Sequence, residues 1–388
     1  MSGGIMKITK LTAYSVHTNQ FRNFNFVRVD TDEGIHGVGE LFCVGADKCV
    51  VDMVDYVSEW VLGQDPLNRE RIQKRILNYS RFPGGAILHT VASAIDLALW
   101  DIAGKTAGLP VYKLLGAVRD KVPVYCHAYG KNSRESLEVL YPKIEKYGYF
   151  ACKTAVFSLG YYPNSRAEQE IDEMFSGMRS ALGDQFEIGI DMASKIYEPI
   201  QAKRCIQAIE PYRPFFAEEP IRPENMENWT EVAEGRKVPV ATGEQIFTTW
   251  DYERLLRLHA VDILQPDILL AGGFTGMLKI AAMAEPSFRN LSPHNPLSSL
   301  ANCINVHFCM SVYNTTFLEN EPREEGMDKD LFTSVLKVED GFIVPNEEPG
   351  WGMDLDYEYL EKLDSIVWSR VDLNKPSAYT MSGAPHIM

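Results

Sequence analysis

Glu187-Ile188-Gly189-Ile190-Asp191, Phe215-Phe216-Ala217-Glu218-Glu219-Pro220 and Val238-Pro239-Val240-Ala241-Thr242-Gly243-Glu244 are three short apolar runs, each closing on a carboxylate. Brief runs rich in Val, Ile and Phe, bounded by polar residues, read as buried strands. From Asp191 to Glu218 is a step of 27 residues and from Glu218 to Glu244 one of 26, room for one helix and two loops, so the strands read as parallel neighbours. The same rhythm extends outward to runs at 122–127, 150–156, 262–265, 290–294 and 315–319, each of the first four followed by a helical pattern. Strands alternating with helices in this way predict an α/β fold with a parallel barrel; a doubly wound sheet is the alternative.

Before residue 122 the pattern differs. Alternating residues at 7–15, 24–29 and 36–40, with a turn at Asp32-Glu33-Gly34, predict an antiparallel meander. Helical periodicity follows at 47–62, 67–79 and 89–107, so residues 1–121 form an α+β unit, 122–340 the barrel, and 341–388 a segment that packs back on the first unit.

The chain of 388 residues is 45% hydrophobic and carries a net charge of −15. An acidic balance of this size argues against a nucleic-acid or anionic-membrane partner. Seven cysteines without C-x-x-C spacing give no disulfide framework or zinc site and fit a reducing cytoplasm. No apolar run reads as a membrane span.

In a parallel barrel the carboxyl ends of the strands converge on one face. Asp191, Glu218 and Glu244 would therefore gather three oxygen ligands for a hard cation such as Mg²⁺, with Glu219 as the alternative to Glu218. Asp267, in Leu264-Gln265-Pro266-Asp267, and His294, in Pro293-His294-Asn295, end the next two strands. A carboxylate beside an imidazole fixes its tautomer and suits it to act as a base. Lys153 ends a strand where its ammonium can meet a carboxylate or a developing enolate.

These motifs, with Thr31-Asp32-Glu33-Gly34-Ile35-His36-Gly37-Val38-Gly39-Glu40 and the helix 94–105, resemble the acid-sugar dehydratases of the mandelate racemase subgroup of the enolase superfamily. The resemblance covers nearly the whole chain. It implies a (β/α)7β TIM-like barrel under an α+β N-terminal capping domain, and Mg²⁺ on Asp191, Glu218 and Glu244. It also implies Asp267/His294 as the base, Glu319 hydrogen-bonding the substrate carboxylate, and a homo-oligomer. A small sugar acid would be the substrate, losing its C2 proton and C3 hydroxyl, with R configuration at C2.

Two positions depart from that pattern. Lys153-Thr154-Ala155 stands where relatives with a second base carry Lys-x-Lys, and Ala193 stands where galactonate-type enzymes place an acid histidine. Either His294 serves both steps or His127 assists. An epimerase, racemase or cycloisomerase working through the same enediolate is the alternative, and a regulatory barrel is another. Substrate contacts are expected from Phe21, Arg22 and Phe24, the loop 43–47, His127 and Trp351.

Overall fold

A computed structural model describes residues 5–17, 23–42, 46–78, 81–82, 84–156, 159, 166–324 and 327–363. The meander is present as β1 (Ile8–His17), β2 (Asn23–Thr31) and β3 (His36–Leu41), antiparallel and in sequence order. Its central strand β2 is largely buried on both faces. Alternation along β2 sends Val27 and Val29 into a core private to the cap, whereas Phe24 and Phe26 join the core shared with the barrel.

The private core is closed by α1 (Asp47–Val61), which buries Val50, Val54, Val57 and Val61 at helical spacing, by α2 (Arg69–Leu77) and by α3 (Gly85–Ala107). By length and composition α3 could cross a bilayer, a feature the sequence reading passed over; 83% of its apolar window is buried inside the protein. The Gly-x-Gly of β3 lets α3 approach closely. A Cβ on Gly37 or Gly39 would stand 2.0 Å from the carbonyl oxygen of Ala98 or Ala94.

A short helix α4 (Val111–Leu115) leads into the barrel. Its strands are β4 (Val122–His127), β5 (Ala151–Ala155), β6 (Glu187–Asp191), β7 (Ala217–Glu218), β8 (Val240–Thr242), β9 (Ile263–Leu264), β10 (Asn290–Leu291) and β11 (Leu318–Glu319). β4 to β10 pair in parallel in chain order, and β11 returns to pair with β4. The ring closes between β10 and β11 through the Leu291 to Thr315 bridge and the Ser292 hydroxyl, which donates to Phe317 O at 2.7 Å. Helices α5 (Ser133–Tyr147), α6 (Ala167–Leu182), α7 (Pro199–Ile209), α8 (Trp229–Ala233), α9 (Thr249–Arg257), α10 (Gly273–Ala284) and α11 (Ser299–Ser311) separate successive strands. The result is the (β/α)7β barrel, not the doubly wound sheet.

Cap and barrel share a polar seam. Asp96 of α3 accepts from the Thr275 hydroxyl (2.6 Å) and amide (3.0 Å) of α10. Burial, opposed by those bonds, pushes the Asp96 carboxyl up to about 6. On the tail side a hairpin, β12 (Val338–Glu339) and β13 (Phe342–Ile343), pairs with β4. The boundary expected at 340/341 falls inside this hairpin, and the chain beyond it makes contacts with the cap. There Gly350 bridges Pro110, and the Trp351 amide donates to Asp101 Oδ1 at 3.0 Å.

Candidate active site

The register brings the expected carboxylates onto one rim. Asp191 is the direct partner of Glu218 across β6 and β7. Glu244 follows Gly243, whose φ of +146° suits only glycine and whose Cβ would lie 2.9 Å from the backbone of Gln265. Beyond β9, a bridge joins Asp267 to His294. Asp267 Oδ2 lies 2.8 Å from His294 Nδ1, and Oδ1 accepts from Leu269 N at 2.8 Å, which pins the imidazole with Nε2 toward Glu244 Oε2 at 3.3 Å.

Opposite them lies a buried ion network. Lys153 Nζ is 2.6 Å from Glu218 Oε1 and 2.9 Å from Glu319 Oε1. Glu319 also receives His127 Nε2 at 2.5 Å and the Asn295 amide at 2.8 Å, and Gln265 Nε2 donates to Glu218 Oε2 at 2.5 Å. Lys153, Glu218 and Glu319 are each 1% exposed, so a charge on any of them has to be paired.

The ionisation of the rim follows from this crowding. Burial, Asp191, Glu319 and Glu244 push the Glu218 carboxyl well up against the opposing pull of Lys153. Glu244 rises to about 7, first through burial, with His294 opposing and Glu219 and Asp191 adding repulsion. Burial would depress His294, yet Glu244, the bond to Asp267 and Glu319 outweigh it and raise the imidazole to about 10. Glu319 goes the other way: Lys153 and His127 hold it well below the usual carboxylate range despite burial.

Carboxylates that repel one another in a buried rim are a donor set suited to a divalent cation. Asp191, Glu218 and Glu244 fit one in chemistry and in strand order. They are not drawn into one cluster in this arrangement. Among the described residues no three carboxylates, imidazoles or thiolates stand close enough to hold an ion, because Lys153 and Gln265 take the oxygens of Glu218, and Ala193 N takes Asp191 Oδ1 at 2.7 Å.

Hydrogen bonding sets Glu219 apart from Glu218. Glu219, fully buried at φ +43°, accepts from the Ser194 and Thr242 hydroxyls, from Gly243 N at 3.2 Å and from Gln245 Nε2 at 3.1 Å. Both of its oxygens are saturated, so it clamps the loops after β6, β7 and β8 and has no lone pair aimed at a ligand.

Other expected contacts fall elsewhere. Trp351 is fully buried, donates from Nε1 to Val38 O at 3.2 Å and packs on Phe274 and His307, so it is a core anchor of the tail and not a substrate contact. Phe24 is likewise buried, 6.4 Å from the Phe26 ring. Phe21, Arg22 and residues 43–45 lie outside the described residues. Asp47, at the end of that loop, accepts from Asn25 Nδ2 at 2.8 Å.

Three neighbours of the site escaped the sequence reading. Phe42 at the end of β3 sets its ring 6.1 Å from that of His294, which brings the cap to the base. Gln265 was visible only as part of Leu-Gln-Pro-Asp. Tyr129, two residues past His127, stacks on the His127 ring at 4.7 Å and 18° and points its hydroxyl to within 3.5 Å of Asp191 Oδ2.

Comparison with known proteins agrees with this fold. Residues 6–116 match the mandelate racemase / muconate lactonizing enzyme N-terminal domain, and residues 140–360 match the enolase C-terminal domain-like family. The chain is 36% identical to the D-galactonate dehydratase of Ralstonia pickettii over 90% of its own length and 92% of that protein. It is 35% identical to the D-galactonate dehydratase of Pectobacterium atrosepticum over 92% and 94%. Among solved structures, an enolase from Agrobacterium radiobacter bound to Na and L-malate superposes with a TM-score of 0.87 at 31% identity, covering 94% of this chain and 96% of that one. A mandelate racemase/muconate lactonizing enzyme from Jannaschia gives 0.84 at 27%, covering 92% and 97%. A cap of this topology over a (β/α)7β barrel, with carboxylates on consecutive strand ends facing a His–Asp pair, places the chain in the mandelate racemase / muconate lactonizing enzyme family of the enolase superfamily.

Proposed function

We propose that this enzyme is a magnesium-dependent acid-sugar dehydratase, which takes the C2 proton of an aldonate with R configuration at C2 and expels the C3 hydroxyl. The observation that carries the reading is the division of the site. A base fixed by Asp267 stands on one side, and a buried ammonium backed by Glu319 on the other. The likeness to two D-galactonate dehydratases supports the same reaction class.

A proton beside a carboxylate is weakly acidic, so its removal needs charge stabilisation as the enediolate forms. Magnesium held by Asp191, Glu218 and Glu244 would supply positive charge to the substrate carboxylate. Lys153 adds a second positive group, kept protonated by Glu218 and Glu319 against the penalty of burial. His294, held protonated in this arrangement by Glu244, Asp267 and Glu319 against burial, acts once it has given up its Nε2 proton, which a cation taking up the charge of Glu244 would favour. It then accepts the C2 proton at Nε2, its Nδ1 side being held by Asp267. The imidazolium then returns that proton to the departing C3 oxygen, and the enol tautomerises to a 2-keto-3-deoxy acid. Ionised Glu319 is an acceptor here, so a hydrogen bond from it to the substrate carboxylate requires that it first take a proton.

Two-base epimerisation is disfavoured by the same contacts. Ala155 offers no second base, and Lys153 is engaged by two carboxylates. The test is an acid-sugar panel with Mg²⁺ in D₂O, scored for 2-keto-3-deoxy product and for deuterium at C2. Conversion of 2R acids, lost together with C2 exchange in His294→Asn, is expected. Epimeric acids as product, or faster exchange of 2S acids, would move the base to Lys153 and overturn the reading.

A further inference from the structure

The dehydratase reading leaves one group without a partner: the hydroxyl that leaves C3. At position 193, where a side chain could reach it from beside Asp191, the chain carries only a methyl group. The opposite side of the same carboxylate is furnished differently. Ala193 N sits on Asp191 Oδ1 at 2.7 Å, and the Tyr129 hydroxyl sits 3.5 Å from Asp191 Oδ2.

The backbone fixes that hydroxyl. Just beyond β4 the chain stays tied to β5, because Ala128 N donates to Lys153 O at 2.8 Å and Ala128 O accepts from the Thr154 hydroxyl at 3.0 Å. Residues two apart on a strand share a face, so His127 and Tyr129 both stand at the mouth, and their rings stack. The chain then turns at Gly130, where a Cβ would lie 2.4 Å from Ser136 N, so the turn tolerates no larger residue. His127 is itself held by Glu319 at 2.5 Å. Tyr129 therefore presents a donor on a rigid ring beside the first carboxylate of the rim.

We propose that Tyr129, not a residue at position 193, binds the leaving C3 hydroxyl, its Oη–H turning from Asp191 Oδ2 to donate a hydrogen bond to that oxygen as the C3–O bond breaks. This inference rests on the dehydratase reading. The C2 proton passes to His294 and from there to the departing oxygen, which leaves as water. The C2–H electron pair becomes the C2–C3 double bond, and the tyrosine keeps its own proton throughout. Removing the hydroxyl therefore weakens elimination while the base and its proton abstraction stay in place.

The experiment compares C2 exchange with elimination, on D-galactonate and D-gluconate with Mg²⁺ in D₂O, for the parent and Tyr129→Phe. Loss of one preorganised donor at a developing oxyanion corresponds to about 10²-fold, so the ratio of exchange to elimination should rise by about that factor. Tyr129→His, which keeps a ring for the stack and a donor, should hold the ratio within about tenfold of the parent, and it serves if the phenylalanine variant does not fold. An unchanged ratio in Tyr129→Phe overturns the proposal. So does an equal loss of both reactions, which would mean that Tyr129 acts only by supporting Asp191. A parent that neither exchanges nor eliminates these two or any other acid of the panel overturns the dehydratase reading and this inference with it, whereas an active parent with an unchanged variant overturns this inference alone.

Discussion

Replacing Glu219 by Gln and, separately, Glu218 by Gln distinguishes a loop clamp from a cation ligand in two adjacent residues of one motif. Glu219 Oε1 accepts from the Thr242 hydroxyl and from Gly243 N; Oε2 accepts from the Ser194 hydroxyl and from Gln245 Nε2. An amide NH₂ at the Oε1 position would face a backbone N–H that cannot turn away. At Oε2 it would face a hydroxyl that can rotate and a glutamine amide that can flip. The amide will take the second orientation. Hydrogen bonds to a charged acceptor are replaced by neutral ones, each weaker by about 1 kcal/mol, so with four such bonds Glu219→Gln should lose roughly 4 kcal/mol of stability. As a residue supporting the rim from behind, it should weaken Mg²⁺ binding by about 10–100-fold. Glu218→Gln removes a ligand while leaving the clamp intact, so Mg²⁺ binding should fall further and stability less. Calorimetric titration with Mg²⁺ and chemical denaturation read the two quantities. A Glu219 variant that binds no Mg²⁺, beside a Glu218 variant that binds it like the parent, would exchange the two roles and refute the hydrogen-bond argument.

Three further outcomes are expected. Gly39→Ala places a methyl 2.0 Å from Ala94 O, so α3 must lift from β3; a loss of about 3 kcal/mol or more in chemical denaturation is expected, and a neutral variant would mean that the contact is loose. Mg²⁺ added to the metal-stripped protein should raise its melting temperature, because a ligand that binds only the folded rim stabilises it, and Asp191→Asn should abolish the rise. His307 has its imidazole lowered from 6.5 to about 4 by burial, opposed by its bond to Trp351 O. The folded state then binds fewer protons than the unfolded one between about pH 4 and 6.5, so stability present above this window is lost as pH falls through it, by roughly 3 kcal/mol. His307→Gln should flatten the slope of unfolding free energy against pH in that range, and an unaltered slope would contradict the assignment.

The barrel was legible because its strands are marked at both ends. An apolar run buried on both faces and a terminal polar residue aimed at the mouth leave a local signature, as in Ile188 to Asp191, and the spacing of one strand–helix unit repeats it. The tail was not legible in the same way. Trp351, between two glycines, has the local look of a loop aromatic at a mouth. Its role is set by Val38 and Asp101, which accept from it across 313 and 250 residues. Helix α3 posed the converse problem: it is apolar on nearly every side because the cap covers one flank and α10 the other, and composition alone cannot tell that burial from a bilayer.

At the site, legibility divided between what a strand end displays and what two strands make together. The carboxylates, Asp267 and His294 each close a strand, so their common direction followed from the barrel alone. Glu218 and Glu219 are consecutive on one chain, and only the donors brought by Ser194, Thr242 and Gln245 separate their tasks. Tyr129 is a harder case, since its meaning lies in a contact with Asp191 across 62 residues and two strand–helix units. The two alanines that looked like losses acquire sense from the same geometry. Ala155 pairs in register with Asp191, so a lysine there would have put a second cation beside the first carboxylate of the rim. Ala193 gives Asp191 Oδ1 only its backbone N–H, while the Tyr129 hydroxyl donates to Oδ2. On the roles proposed above, one base and a donor on a different strand make a rearranged dehydratase and not a depleted one.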